Sequence, residues 1–290
     1  MKGKPAPMER NLRYFALFGL VCAVPALHAQ NVLDGAYIRE HAATQRVVPY
    51  VHLREADVQW HRRIWRTIDL RQKMNLPLHY PLEPVNGQRS LWDVIRKAVF
   101  DEGSVTAYDP GPLLQDDGFR RVLSNAELDR LLNAVEPSWT PSLADPDQNI
   151  LVVVPTPLES KDIMMYRLKE DWILDKQRGV MEVRIIGLAP MREVRGEDGE
   201  LRGHAPVFWL YFPELRYVLA NATAFNPQNE AEHRSLDAVF AKRMFSSTVT
   251  AVSNVYGRSL PEYLTGVDAL LEAERIEQGL FQYEHDLWNP

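Results

Sequence analysis

The sequence is almost without cysteine. Its single cysteine, Cys22, lies within the first 29 residues. A chain without a second cysteine cannot form an internal disulfide, and it offers no CxxC metal motif. Val21 precedes Cys22, where a lipid-attachment signal needs a small residue such as glycine or alanine. The sequence therefore argues against lipidation at Cys22 and against thiol chemistry in the rest of the chain.

Long hydrophobic runs are also missing. No segment approaches the roughly 20 apolar residues that a membrane-spanning helix requires. Residues 1–29 combine a basic leader, a short apolar stretch from Tyr14 to Val24 and Ala29 before Gln30. This pattern predicts a cleaved secretory signal peptide over residues 1–29. We expect the exported remainder to make no direct membrane insertion.

Positive charge is in deficit. The formal net charge is −6 at pH 7, and it becomes −9 once the basic leader is removed. Proteins that bind nucleic acid without a partner usually present an excess of lysine and arginine to the phosphates. We therefore predict no nucleic-acid partner.

Recognisable catalytic and cofactor motifs are absent. The chain contains no G-x-S-x-G elbow, no phosphate loop and no G-x-G-x-x-G. No two of its histidines have the i, i+4 spacing that places two imidazoles on one face of a helix. We predict that the chain has no catalytic, cofactor-binding or metal-binding residues and needs no cofactor.

One acidic cluster supports an alternative. Glu170, Asp171 and Asp175 surround Trp172, and a pair of carboxylates beside an aromatic platform is what glycoside hydrolysis needs. The alternative is thus a periplasmic carbohydrate-active hydrolase or binding module. The lysines and arginines interleaved with these acids favour structural ion pairs instead.

The residues that are present describe an ordered, globular chain, with 46% hydrophobic and 25% charged residues. Two apolar runs, Val180 to Leu188 and Val207 to Phe212, are rich in β-branched and aromatic side chains. They predict two antiparallel strands. The charged, glycine-containing segment between them, Arg192 to Gly203, is predicted to be a solvent-exposed loop.

Helices are predicted on both sides of these strands. Trp60, Ile64 and Ile68 recur every four residues, which predicts a helix from about Asp57 to Asn75 with a basic side. Ser90, Ser124 and Ser235 are predicted helix caps. Val249, Val252 and Tyr256 continue a helical spacing, and a long closing helix is predicted from Pro261 to about Tyr283.

The fold class predicted from these elements is α+β: a small antiparallel sheet packed with several helices, with a helical N-terminal part after an extended arm. The predicted division is a signal peptide over 1–29, an extended arm over 30–56, a mainly helical region over 57–145 and an α+β core with a long C-terminal helix over 146–290. The boundary near 145 follows the proline-rich and acidic segment 136–149.

Aromatic residues and arginines suggest a surface for partners. All seven tryptophans lie after residue 29, together with 23 arginines and only six lysines. Tryptophan, tyrosine and arginine dominate the energetics of protein interfaces, whereas most tryptophans in any protein fill its core. The candidates for partner contact are Trp60, Arg63, Trp65, Arg66, Trp172 and Trp209.

Several short segments occur in an order and spacing that resemble one family. They are Trp60 to Arg71, Ser90 to Ile95, Lys169 to Trp172, Asp175 to Arg178, Val183 to Pro190, Phe208 to Tyr211, Glu272 to Ile276 and Glu284 to Trp288. Together they resemble the GldN/PorN proteins of the type IX secretion and gliding-motility apparatus. The resemblance extends from about residue 34 to the C-terminus.

The resemblance implies a function in assembly. Members of that family form a large periplasmic ring with an outer-membrane lipoprotein of the GldK/PorK type, and the GldM/PorM motor protein of the inner membrane contacts the ring. It therefore implies a non-enzymatic scaffold that self-associates into a ring and couples the motor to protein export. The expected location is the periplasm, with peripheral attachment to the outer membrane through the lipoprotein. The family supplies no catalytic residue.

Overall fold

The computed structural model describes residues 46–85, 87–141, 149–196, 200–226, 229 and 234–287. At residues 134–141, 149–156 and 195 it describes the backbone alone. The predicted signal peptide and residues 30–45 of the predicted arm lie outside these ranges. So do the centre of the loop predicted after Arg192, at residues 197–199, and the C-terminal Trp288.

A seven-stranded antiparallel sheet is the centre of the described part of the chain. Its strand order is β11-β1-β5-β6-β8-β2, and β7 pairs with the outer part of β6. Two further pairs, β3 with β4 and β9 with β10, lie outside it. The strands are β1 Val58–Asp69, β2 Ala107–Tyr108, β3 Asn133–Pro141, β4 Asn149–Pro157, β5 Ile163–Asp175, β6 Val180–Arg195, β7 Leu201–Pro206, β8 Trp209–Tyr211, β9 Thr223–Ala224, β10 Arg234–Ser235 and β11 Thr248–Val252.

Helices flank this sheet. Within the described residues they are α1 Leu76–His79, α2 Leu91–Arg96, α3 Asn125–Leu132, α4 Phe212–Leu219, α5 Leu236–Ala241 and α6 Val267–Asp286. The three predicted serine caps are confirmed: Ser90, Ser124 and Ser235 each accept a hydrogen bond from the backbone N–H three residues later. Pro213 lies in the first turn of α4, where its missing N–H costs nothing.

The predicted α+β class with an antiparallel sheet is confirmed, but the predicted helix from Asp57 to Asn75 is wrong. Residues Val58–Asp69 form β1, which lies between β5 and β11. A spacing of four residues returns a side chain to one face of a helix, and it also returns it to one face of a strand, where the period is two. Pairing with β5 and β11 decides in favour of the strand, and the β-branched and aromatic residues of the segment, such as Ile64, Trp65 and Thr67, suit that state.

Two other local predictions are wrong. Both described ends of the segment predicted to be a loop from Arg192 to Gly203 extend the sheet, because β6 continues to Arg195 and β7 pairs back onto it from Leu201. The helical spacing assigned to Val249 and Val252 belongs to the short edge strand β11. The closing helix is confirmed as α6, although it begins at Val267 rather than Pro261.

The hydrophobic core has two parts. The larger one packs α2, α3, α4 and α5 against the sheet around Trp92, Tyr166 and Phe208. The smaller one lies under α6 and joins Ile64 and Val249 of the sheet to Ala273 and Leu280 of the helix. The smaller cluster holds the C-terminal helix against the edge of the sheet and thereby positions the surfaces described next.

Candidate interaction surface

Alternate residues of β1 face opposite sides of the sheet, and this separates the predicted partner-contact residues into two groups. Trp60, Arg66 and Trp172 lie on the side that α6 covers, which we call the helix face. Arg63 and Trp65 lie on the opposite side, which we call the cleft face. The six candidates therefore do not form one continuous surface.

On the helix face, Trp60 is occupied by the chain itself. Its ring stacks on Tyr283 of α6, with the ring centroids 4.9 Å apart and the planes at 29°. Arg66 is buried beneath the same helix. Its Nε donates to Ser247 Oγ at 2.8 Å, and its Nη2 donates to Glu277 of α6. Both residues therefore fasten α6 to the sheet.

Trp172 belongs to a second arrangement on the helix face, centred on a buried carboxylate. Glu170 has no exposed surface, and its two oxygens accept hydrogen bonds from Arg243 at 2.9 and 3.3 Å. Trp172 Nε1 donates to the same carboxylate at 3.1 Å. Arg243 also lies 5.7 Å from the Trp172 ring centroid, so the guanidinium bridges acid and ring.

On the cleft face, Arg63 and Asp171 lie directly opposite each other on β1 and β5. Arg63 donates two hydrogen bonds to the Asp171 carboxylate, at 2.7 and 2.9 Å, and His61 Nε2 lies 3.2 Å from it. Burial raises the pKa of Asp171, but the hydrogen bonds and charge of Arg63, assisted by His61, outweigh burial and leave the pKa below its ordinary value.

Trp65 lies beside this pair, where its Nε1 donates to Asp117 Oδ2 at 2.6 Å. Lys169, opposite Trp65 on β5, reaches the same aspartate: its Nζ is 3.1 Å from Oδ1 and donates to the Asp117 carbonyl at 2.8 Å. The ammonium group also lies 5.3 Å from the Phe119 ring centroid. These contacts hold the 109–122 connection over part of the cleft face.

The uncovered part of this face is an open cleft of about 640 Å³. Its floor includes Trp65 and Arg167, one wall comes from Leu113 to Asp117 and the other from Asn254 to Glu262. The side chain of Arg167 makes no hydrogen bond or ion pair with any described residue, and its Nε is buried. Burial lowers the pKa of Arg167, and the nearby charge of Asp117 opposes this only in part.

Trp209 lies apart from both groups. It is in β8, only 2% exposed, and packs edge-on against Phe119 at 6.4 Å between centroids. Its Nε1 has no hydrogen-bond partner among the described residues. In this structure Trp209 is a core residue and presents no surface to another chain.

The sequence analysis did not predict a group of exposed apolar residues on the closing helix. Val267, Leu270, Leu271 and Phe281 of α6 are each at least 57% exposed. Val267, Leu270 and Leu271 lie together at the start of α6, and Phe281 lies on the same side about three turns later, beyond the hydrogen-bonded pair of Glu274 and Gln278. Ala273 and Leu280 project from a different side of the helix. We call the four exposed residues the outer stripe of α6. The signal was visible in the sequence as a second apolar face on one helix.

The acidic cluster around Trp172 is not arranged for acid–base chemistry. Glu170 and Asp171 project to opposite faces of β5, and each accepts hydrogen bonds from an arginine. Asp175 is paired with Arg178, whose hydrogen bond lowers the pKa of the carboxyl despite burial. In the part of the chain that the structure describes, no group of three or more His, Cys, Asp or Glu side chains could hold a metal ion.

Among the described residues no helix is both long enough and apolar enough to span a bilayer. Comparison with known families gives one result: the family described as "Gliding motility associated protein GldN" matches residues 53–289. A search of the curated proteins found no match. The matched range includes the whole seven-stranded sheet, the cleft and α6. The chain therefore belongs to the GldN family and is associated with gliding motility and type IX secretion.

Proposed function

We propose that this chain is a non-enzymatic structural subunit of the periplasmic ring of the type IX secretion and gliding-motility apparatus. It associates with further copies of itself and with an outer-membrane lipoprotein of the GldK/PorK type. It also contacts the GldM/PorM motor protein, and it thereby transmits the motor's energy to protein export. A signal peptide over residues 1–29 would deliver it to the periplasm, where the lipoprotein attaches it to the outer membrane.

The observation that supports an assembly function best is the outer stripe of α6. A long helix whose inner side is packed usually presents charged and polar residues to water. Here a different side presents Val267, Leu270, Leu271 and Phe281. Three of these residues, Val267, Leu270 and Leu271, lie within little more than one turn, and a group of exposed apolar side chains of this kind is typical of an interaction site. Large, obligate assemblies bury such surface at their subunit contacts.

Only some of the tryptophans and arginines predicted to contact partners are free to do so in this proposal. Trp60 and Arg66 position α6, and so they support the outer stripe indirectly. Trp65 lines the cleft on the other face, whereas Arg63 lies on that face outside the cleft lining, paired with Asp171. We propose that partners approach these two surfaces, the outer stripe and the cleft, rather than a single aromatic and basic side.

The hydrolase alternative has less support. A glycosidase needs one carboxylic acid with a raised pKa and a second carboxylate at a fixed distance across the substrate. The pKa values of Asp171 and Asp175 are lowered by arginine partners, and Glu170 is fully buried under Arg243. This arrangement suits three structural ion pairs.

Affinity for the lipoprotein tests the proposal. We expect the chain from residue 30 onward to co-purify with a GldK/PorK-type lipoprotein, and Phe281→Glu to weaken this association at least tenfold, because a carboxylate in an apolar contact must lose its water. Tyr217→Glu is the matched control, since Tyr217 is an aromatic residue 65% exposed on α4.

The control variant should bind as the unmodified chain does. An unmodified chain that shows no affinity for the lipoprotein would contradict the proposed function. Equal binding by Phe281→Glu and the unmodified chain would instead remove the outer stripe from the interface.

A further inference from the structure

The cleft contains Arg167, whose buried Nε has no hydrogen-bond partner among the described residues. Three buried polar side-chain atoms lack a hydrogen-bond partner among the described residues: Tyr166 Oη, Trp209 Nε1 and Arg167 Nε. The first two belong to core residues that are 0% and 2% exposed. Arg167 differs from them because it lines an open cleft of about 640 Å³.

Leaving a guanidinium without a partner in a partly buried position is costly. Arginine remains charged in proteins, so it cannot escape the cost by losing a proton, and its five N–H groups need acceptors. The other interior cations on these strands are satisfied: Arg63 has Asp171, Lys169 has Asp117 and Arg66 has Glu277. Of these four cations on β1 and β5, Arg167 is the one without a bonded carboxylate among the described residues.

The cleft contains a second arginine. Arg258 lines it as well, and its guanidinium lies over the Tyr256 ring at 5.2 Å without a carboxylate partner among the described residues. Two acids line the cleft. Asp117 is already bound by Lys169 and Trp65, and the exposed Glu262 accepts a hydrogen bond from Ser259. Neither acid is bonded to Arg167, so the guanidinium is available to an acceptor from outside.

The dimensions of the cleft suit an extended chain. Its lining residues come from β11, β1, β5 and β7, and β6 lies between β5 and β7. Four spacings between strands amount to about 19 Å, which is the length of about six extended residues. Leu113, Leu114 and Pro206 supply apolar surface along it. A small anion would leave most of this surface uncovered.

We propose that this cleft binds an extended polypeptide segment by presenting Arg167 to an aspartate or glutamate side chain of that segment. The planar guanidinium holds a carboxylate through two parallel hydrogen bonds, and the partial burial of Arg167 strengthens them. Arg258 adds a second positive charge toward the Asn254 to Glu262 wall. We take the segment to come from another protein chain because the proposed function is assembly, and to that extent the inference rests on the proposed function.

An array of hexapeptides tests the cleft directly. Each peptide carries a central aspartate or glutamate between varied flanking residues, and its matched partner carries asparagine or glutamine at the same place. We expect the unmodified chain from residue 30 onward to bind a subset of the acidic peptides and to bind their amide partners at least tenfold more weakly. A tenfold loss corresponds to about 1.4 kcal/mol, which is within the range for one charge-assisted pair.

Two variants assign the effect to Arg167. Arg167→Met keeps the apolar length of the side chain and removes a charge that has no bonded partner among the described residues, so we expect an unchanged or higher Tm and a loss of at least tenfold in peptide affinity. Arg63→Met is the matched control on the same face of the sheet. It removes the partner of Asp171, so it should lower the Tm and leave peptide binding intact.

Several results would overturn the inference. They are no preference for acidic over amide peptides, undiminished peptide binding by Arg167→Met, or free succinate that binds as tightly as the best peptide. A large fall in the Tm of Arg167→Met would show that the arginine serves the fold instead. Co-purification with the lipoprotein is a separate measurement, so failure of the proposed function and failure of the cleft can be told apart.

Discussion

At the scale of single residues, the described part of the protein is dominated by charge pairing across the two central strands. Glu170 and Asp171 are neighbours in sequence, yet they serve opposite faces of β5, each with its own arginine. A buried carboxylate that loses its cation becomes an uncompensated charge, so such pairs constrain which residues can be replaced. Arg167 of the same strand has no such carboxylate among the described residues. In the proposed complex, a carboxylate from another chain pairs with it.

Asp171 predicts how stability responds to acid. Burial raises its pKa, but Arg63 and His61 together lower it below the ordinary value. A lowered pKa in the folded state contributes stability that is fully present above the unfolded-state pKa, about 3.9, and is lost as the pH falls through the folded value. We expect Asp171→Asn to cost about 2 kcal/mol at pH 7.

The difference between Asp171→Asn and the unmodified chain should narrow as the pH falls below about 4 and through the lowered folded-state pKa of Asp171, because the aspartate then becomes neutral too. Urea unfolding at a series of pH values measures this. Glu284→Gln, at an exposed position of α6, serves as the control and should follow the unmodified chain throughout. A difference that stayed constant with pH would contradict the importance given to the Arg63–Asp171 pair.

At the scale of elements, α6 has two apolar sides with different tasks. The inner side packs Ala273 and Leu280 against Ile64 and Val249 of the sheet. The outer stripe contacts nothing within the described chain that would cover it, since Phe281 remains 69% exposed. Leu280 and Phe281, adjacent on one helix, therefore differ in burial, and only Phe281 belongs to the proposed assembly surface.

Leu280 and Phe281 make this separation measurable. Leu280 is 3% exposed, and its replacement by alanine should cost about 2–5 kcal/mol because it leaves a cavity under α6. Phe281→Ala should change stability by no more than about 0.5 kcal/mol. Denaturant unfolding of the two variants provides the comparison. Similar losses for both would mean that α6 packs differently from the arrangement described here.

At the scale of the whole molecule, sequence signals predicted helix caps correctly. They failed where pairing between distant strands determines the secondary structure. The caps at Ser90, Ser124 and Ser235 were predictable because each needs only a hydroxyl and a backbone N–H three residues later. Strand β1 was not, because the four-residue spacing of Trp60 and Ile64 suits helix and strand alike. Its strand state depends on β5 and β11, which come more than 90 residues later.

The candidate site shows the same limit. Strand register places Arg63 opposite Asp171 and places Arg167 opposite Thr67 and Ala189, and neither outcome follows from the residues near them in sequence. The outer stripe of α6 could have been predicted from the spacing of Val267, Leu271 and Phe281. Recognising it as exposed required the sheet and the inner side of the helix to be in place.

The central claim is that this chain works by assembling with other chains, and the mass of its complex tests that claim most directly. Light scattering during size-exclusion chromatography can be applied to the chain from residue 30 onward, alone and mixed with the GldK/PorK-type lipoprotein. We predict that the mixture elutes as one species many times heavier than a one-to-one pair, as a ring requires. Two separate peaks at the masses of the individual proteins would contradict the account.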